Sequence, residues 1–460
     1  MSSTRPDRRF FGVLAAIMAL GLAIRLGFVI GRQSQVVLNG GDAYWYHFQA
    51  KLVARGDGFL HPFYYFKEGV LRPGADHPPG FVLILAFLDL IGIDSAQGQR
   101  LVMTFVGTAT IAVVALVGRR IANPRTGLIA AFLAAVYPNF WINDGMLMVE
   151  TIFILATAVA LLGVYRYFEQ PSVRDAILVS VSLTVAAMTR PEALLLFVML
   201  ALPLVIGPIV AKVKEAGEWG PSLRNGALHL GVMALIPIVA FTPWVLYNLS
   251  RFETPVLIST GAGQTLAVGN CELTYSGDFL GFYDTNCLLP PQITPPDMED
   301  LSVADIEYRR IALEFMSNHK RRLPVVIAAR VGRQWHLFRA GQSIGLDGYV
   351  EGRSGGPPGS SFWPVREALW SYYALIPMAI AGLIVLRRRS VKIWPLLSQP
   401  ILVTLVAAGT FGITRYRAGA EVSIVLAAAV AIECVAAVIF TKPDDQEPVG
   451  ETPQGETVDV

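Results

Sequence analysis

The sequence reads as an all-α polytopic membrane protein with about 10–11 transmembrane helices and an extracytoplasmic loop region. Two observations lead there. The 460 residues are 53% hydrophobic and only 16% charged, whereas soluble domains carry roughly 25% charged residues. Apolar runs of spanning length recur along the chain, and its mean hydropathy is +0.51. These features exclude an ordinary soluble enzyme and a disordered chain. Net charge is +2, from 37 Lys+Arg against 35 Asp+Glu, a balance without bulk attraction to polyanions. Nucleic acid is therefore excluded as a partner.

A membrane helix needs roughly 20 mostly apolar residues. Such runs occur near 10–31, 101–118, 126–142, 145–165, 176–190, 193–211, 226–248, 368–386, 393–413 and 420–441. The first follows a basic front of Arg5, Arg8 and Arg9. Its apolar part is too long for a cleavable signal and no small-residue cleavage site follows, so it reads as a retained first helix. The run 79–93 reaches only ~22 Å against a ~30 Å hydrocarbon core, and reads as a half-spanning or re-entrant helix.

Orientation follows from the basic loops, which favour the cytoplasm. The clusters are Arg5/Arg8/Arg9, Arg119/Arg120/Arg125, Arg166/Arg174, Lys212/Lys214 and Arg387/Arg388/Arg389/Lys392. With these inside, 32–78, the turn near 141–150 and 249–366 face outward. The organisation expected is an N-terminal transmembrane module (1–248, with its first outer loop at 32–78), an extracytoplasmic region (249–366) and C-terminal transmembrane helices (367–441). The acidic, Pro/Gly/Thr-rich stretch 442–460 reads as a disordered cytoplasmic tail.

The expected chemistry sits in the outward loops. The first reads Gly40-Gly41-Asp42-Ala43-Tyr44-Trp45-Tyr46-His47, then His61-Pro62-Phe63-Tyr64-Tyr65, then Asp76-His77-Pro78-Pro79-Gly80. A helix over about 43–55, with Tyr44, Phe48 and Leu52 on one side, would lie flat at the membrane surface. Taken one at a time, these rings read as an interfacial belt, and Asp42 reads as an N-cap. Glu150 stands at the outward end of a span, where an ionisable group points to function; the plainer reading is a boundary carboxylate reaching water. Arg415 and Arg417, in Thr414-Arg415-Tyr416-Arg417, break the inside preference for basic residues. Guanidinium groups bind phosphate with paired hydrogen bonds, though a surface ion pair with Glu421 is the alternative. Arg190 with Glu192 reads similarly. Arg25 and Glu433 lie within spans and are assigned no catalytic part; Arg25 reads as near enough to an end to snorkel.

Cys271 and Cys287 share the 249–366 region on the oxidising side, which predicts a disulfide. Cys434, in a span, reads as an inert apolar residue. No HExxH, CxxC or other metal-ligand spacing occurs. No phosphate-binding glycine loop occurs either, which counts against an ATP-driven pump and a nucleotide-sugar enzyme.

These residues together resemble the GT-C superfamily of membrane glycosyltransferases, in the branch of protein O-mannosyltransferases and aminoarabinose transferases, family-39-like and of actinobacterial type. The resemblance runs from about 10 to about 440. It is carried by Gly41-Asp42, His77-Pro78-Pro79-Gly80, Gly127 to Ala131, Met146 to Glu150, Thr189-Arg190-Pro191-Glu192, Pro243 to Asn248, Leu257 to Thr260 and Arg415-Tyr416-Arg417. It implies a transferase that moves a sugar from a polyprenyl-phosphate donor to an extracytoplasmic glycan, lipid or protein acceptor, with inversion. It implies Asp42 as the base and Glu150 as a second acid shaping the site. The residue before the Pro-Pro pair, often a lysine or arginine near the donor phosphate, is His77 here. That departure shifts phosphate binding toward Arg415 and Arg417. Arg190, Tyr44 and Tyr46 complete the candidate substrate-binding set. The Cys271/Cys287 loop and Arg330 to Trp335 suggest an outer lid. Cofactors are unknown, with a divalent metal left open beside the two carboxylates. A lipid-linked sugar flippase or transporter is the alternative, but it predicts midplane charges and an internal repeat, and no repeat is evident. A non-catalytic scaffold would make Asp42 and Glu150 dispensable.

Overall fold

A computed structural model describes residues 8–216, 220–291, 299–357 and 359–440. Arg5 and the expected tail at 442–460 lie outside the described residues. Every regular element described is helical, as the sequence predicts.

The first helix, α1 (Arg8–Gly31), is apolar almost throughout. The short helix α2 (Gly41–Ala54) differs from the expected one-sided surface helix. Tyr44, Trp45, Tyr46, His47, Gln49, Ala50 and Leu52 are all buried. The cause is that the loop after α2 folds back over it: Gln49 Nε2 donates to the carbonyls of Leu60 at 3.0 Å and Gly74 at 3.2 Å. Next, α3 (Gly80–Leu90) is too short to span, in line with the half-spanning reading. A Cβ on Gly80 would lie 2.6 Å from the Met188 carbonyl oxygen. That close approach, available only to glycine, sets the start of α3 and the adjacent His77 beside residues 188–190.

Helix α4 (Ala96–Ile121) is capped by Ser95, whose hydroxyl accepts from the Gly98 N–H at 3.0 Å. The predicted span 126–142 is two helices, α5 (Pro124–Val136) and α6 (Pro138–Asp144), bent by 53°. Proline disfavours helical backbone in the residue before it, and Tyr137 is extended. The turn after α6 places Leu147 at φ +52°, a strained region for a branched residue. It then delivers Glu150 to the first position of α7 (Glu150–Glu169). Helix α8 (Val173–Thr189) ends at Arg190, and a proline-started turn over Pro191–Leu194 leads through a π-helical segment into α9 (Leu202–Ala216). The long α10 (Gly220–Leu249) follows.

The described residues between 250 and 362 form a helical cap on one end of the bundle. Its helices are α11 (Ala262–Gly269), α12 (Glu272–Tyr275), α13 (Leu301–Asn318), α14 (Leu323–Gln334) and α15 (Ala340–Gly345). The Cys271–Cys287 disulfide is present. The chain then returns through α16 (Trp363–Arg388), α17 (Trp394–Gly409) and α18 (Ala418–Phe440). The 330–335 stretch, expected as part of a lid, is a buttress. Arg330, fully buried, donates to the carbonyls of Gly269 at 2.7 Å and Ala408 at 3.1 Å. Gln334 donates to the Val403 carbonyl at 3.0 Å. Side chains that satisfy their donors on α17 fix the cap to the bundle.

Among the described residues, seven helices are long and apolar enough to cross a membrane, or eight if the bent pair is one span. That is fewer than the ten full spans expected, because the run 176–190 yields a helix of 17 residues and the run 393–413 one of 16 residues that stops before Thr410.

The largest apolar core joins α1, α4, α5, α7, α16 and α18. Small residues let helix backbones touch within a membrane. At the α16–α18 crossing, a Cβ on Gly382 would lie 1.8 Å from the Ala427 carbonyl oxygen. Gly382→Ala is therefore expected to separate the two helices at a cost of about 1–3 kcal/mol. Thermal unfolding in detergent checks this.

Candidate active site

Asp42, His77, Glu150, Arg190 and Arg415, far apart in sequence, meet at the end of the bundle under the cap. Each arrives by a local device. Gly40 takes the N-cap position of α2, so Asp42 is left free on the first turn; it is not the cap. His77 stands beside Gly80 and its close approach to residue 188. The bend at Pro138 and the turn at Leu147 carry Glu150 inward. The end of α8 supplies Arg190, and the single 3₁₀ turn Thr414–Arg417 supplies Arg415.

Arg415 is the hub. Its Nη2 lies 2.9 Å from Asp42 Oδ2. Its Nε lies 3.3 Å from Glu351 Oε2 and 3.5 Å from Glu150 Oε1. That Nε is buried yet makes no hydrogen bond, so these two contacts are attractions of charge and not directed bonds. Arg190 pairs with Glu150, and its Nη1 lies 3.1 Å from Glu192 Oε1. The Arg190 guanidinium also sits 4.8 Å from the Tyr416 ring centroid, a cation–π distance. Glu150 is 1% exposed, and its Oε2 has no hydrogen-bond partner. An unmet buried acceptor of this kind calls for a donor.

His77 Nε2 lies 3.7 Å from Asp42 Oδ1, and its ring packs 4.7 Å from Tyr46. Burial alone would push the Asp42 carboxyl upward. Arg415, then His77, outweigh burial and hold it below the usual aspartate value. Asp76 behaves oppositely. Burial pushes its carboxyl up to about 7, with Asp305 and Asp42 adding, although the Thr260 hydroxyl donates to it at 3.1 Å.

The predicted site residues divide. Asp42, Glu150, His77, Arg190, Arg415 and Tyr46 are brought together. Arg417 is not. It is fully buried, its Nε lies 2.7 Å from Glu421 Oε1, and its guanidinium lies 3.7 Å from the Tyr372 ring centroid. Two residues past Arg415, it stands about two-thirds of a 3₁₀ turn away from the site, so the expected ion pair with Glu421 describes it, as a buried pair. Tyr44 is turned away and stacks on Phe63 at 4.6 Å.

Sequence reading missed Glu351 and Tyr283. Glu351 comes from the cap, and Tyr283 donates its hydroxyl to Glu351 Oε1 at 2.6 Å. Nothing near Glu351 in sequence marks it. Arg353, whose guanidinium donates to Asn143 at 3.0 Å and Asn139 at 3.1 Å, pins that stretch of cap over the site, and Arg32 donates to the Ser354 carbonyl at 2.8 Å.

An apolar cavity of about 530 Å³ lies between the 191–202 segment and α10. Its lining includes Leu194, Phe197, Met233, Phe241, Leu257 and Ile258. Leu194 is one turn beyond Arg190, and Ile258 is two residues before Thr260, which reaches Asp76. The cavity lining thus begins four residues beyond Arg190 in the chain. Among the described residues, no group of three His, Cys, Asp or Glu side chains is placed to hold a metal ion; Arg415 stands among the carboxylates.

Residues 76–247 match the dolichyl-phosphate-mannose-protein mannosyltransferase family. No curated protein sequence matches the chain. Among solved structures, the chain is similar in fold to the oligosaccharyltransferase of Archaeoglobus fulgidus tethered with an acceptor peptide: TM-score 0.55, 14% identity, over 95% of this chain and 51% of that one. The same archaeal enzyme, AglB, in complex with an inhibitory peptide and a dolichol-phosphate gives TM-score 0.52 and 14% identity over 93% and 50% of the two chains. The chain therefore spans about half the length of this enzyme. ArnT from Cupriavidus metallidurans bound to undecaprenyl phosphate matches over 94% of this chain and 81% of that one, at 11% identity and TM-score 0.36.

Proposed function

We propose that this chain, which matches the dolichyl-phosphate-mannose-protein mannosyltransferase family over residues 76–247 and shares its fold with an archaeal oligosaccharyltransferase, is a membrane glycosyltransferase that moves a sugar from a polyprenyl-phosphate donor to a hydroxyl acceptor on the extracytoplasmic face, with inversion. The observation that carries this is the meeting of Asp42, Glu150, Arg190 and Arg415, in a chain that also holds an apolar cavity whose lining begins at Leu194, four residues beyond Arg190. A lipid-borne phosphate has a charged head and a greasy tail. The cavity suits the tail and the guanidinium groups suit the phosphate.

Asp42 takes the proton of the acceptor hydroxyl as that oxygen bonds to the anomeric carbon. The bond between that carbon and the phosphate oxygen breaks, and the polyprenyl phosphate leaves with its electron pair. Arg415 and Arg190 meet the charge that gathers on the leaving oxygen. Glu150 holds both arginines in place and offers its unmet Oε2 to a substrate hydroxyl. His77 buttresses Asp42.

Purified protein in lipid nanodiscs, given radiolabelled polyprenyl-phosphate mannose and membrane extract as acceptor, is expected to release polyprenyl phosphate and label the acceptor. Intact donor crossing between leaflets of proteoliposomes without release would favour the flippase and overturn the reading.

The pH dependence tests the base. Asp42 acts only when ionised, and its depressed pKa keeps it ionised as pH falls to the usual aspartate range. The acid limb of kcat/KM is therefore expected below that range. Asp76 becomes charged only as pH rises through about 7. A limb near neutrality that vanishes in Asp76→Asn would move the base to Asp76.

A further inference from the structure

The cluster carries more negative charge than positive. Asp42, Glu150, Glu192 and Glu351 face Arg190 and Arg415. A substrate phosphate adds further negative charge, so one of these contacts has to give way. Asp42 is the base, and Glu150 is shared between both arginines. Glu351 touches only Arg415 among the cluster's cations, and it does so against an Nε–H that makes no hydrogen bond. Its other oxygen is held by the Tyr283 hydroxyl. Glu351 is also 3% exposed in its side chain, so water screens the contact little.

We infer that Glu351 is the exchangeable counter-ion of Arg415: it occupies the guanidinium edge that a substrate phosphate takes over, and its charge sets how tightly that phosphate binds. The inference rests on the proposed function and gives Glu351 a positioning part in it. On phosphate binding, Arg415 Nε–H turns from an undirected contact with Glu351 to a hydrogen bond with a phosphate oxygen. Glu351 keeps its bond from Tyr283. Removing the Glu351 charge leaves Arg415 compensated by Asp42 and Glu150, so no orphan cation is created.

The test is equilibrium binding of farnesyl phosphate to the purified full chain, read by intrinsic tryptophan fluorescence. Glu351→Gln is expected to bind about five- to tenfold tighter than the unaltered protein, because a competing charge is gone while the Tyr283 partner stays. Glu351→Ala serves as the second uncharged variant if the glutamine form does not fold, and a gain in the same direction is expected. Glu351→Asp, which keeps the charge, is expected to bind within about twofold of the unaltered protein. Inorganic phosphate is expected to gain by a like factor, since the exchange concerns the head and not the tail. If Arg415→Gln loses binding while both uncharged variants bind no tighter than the unaltered protein, the counter-ion assignment is overturned. If Arg415→Gln binds as well as the unaltered protein, the placing of phosphate on Arg415 falls instead.

Discussion

Asp42→Asn is expected to lower the rate of sugar transfer by about 10²–10⁴-fold, the range a positioned general base contributes, while the protein still folds and inserts. The substitution keeps the shape of the side chain and removes its charge. Arg415 loses its 2.9 Å partner but keeps Glu150 and Glu351, so the site is not left with a bare cation. Asp42 is also partly exposed, at 34% of its side chain, and contributes little to the core. Donor binding should therefore survive and the chemical step should not. The check is transfer from radiolabelled donor under saturating conditions, beside size-exclusion behaviour of the variant. Near-full activity in Asp42→Asn would remove it as base.

The second large effect lies away from the reaction. Arg25, fully buried in α1, places its Nε 2.7 Å from Asp144 Oδ2 and donates to the carbonyls of Ala134 at 3.2 Å and Ala135 at 3.3 Å. Asp144→Leu leaves that guanidinium uncompensated inside the bundle, at an expected cost of about 3–5 kcal/mol. The double variant Arg25→Met, Asp144→Leu is expected to recover most of the loss, because no charge then stays buried alone. Thermal unfolding of both variants in detergent decides it; equal instability of the two would mean that packing and not charge is at stake. Asp144 also accepts the Thr151 hydroxyl at 2.9 Å, one residue from Glu150. The single variant should therefore disturb the site as well as the fold. Gly107→Ala acts in the same direction, since its Cβ would lie 2.0 Å from Asp144 Oδ2.

Arg25 and Arg417 show why some readings needed correcting. A charge in an apolar run has the same sequence signature whether it snorkels, pairs internally or binds substrate. Arg25 meets a partner 119 residues away, which no local pattern announces. Arg415 and Arg417 are two residues apart on a 3₁₀ turn, and that offset aims one into the site and the other at Glu421. The 43–55 stretch has the stripe of a surface helix, yet it is buried around most of its circumference because the following loop folds over it. Asp42, Glu150, Arg190 and His77 were nameable beforehand because each combines a charge or ring with a loop edge at one depth. Glu351 and Tyr283 were not, being ordinary residues in a long loop.

Apolar runs of bilayer length, proline and glycine at the breaks, and sparse charge are local properties. They settle on their own that this chain is helical, lies in a membrane and keeps most of its charged groups outside its apolar runs. Which of those polar groups touch is settled by the packing of helices far apart in the chain: the bend at Pro138, the tight crossing at Gly80 and the cap held by Arg353. Charge–charge attraction falls off with distance and burial strengthens it, so the chemistry of Asp42, Arg415 and Glu351 exists only once those packings bring them within a few ångströms of one another.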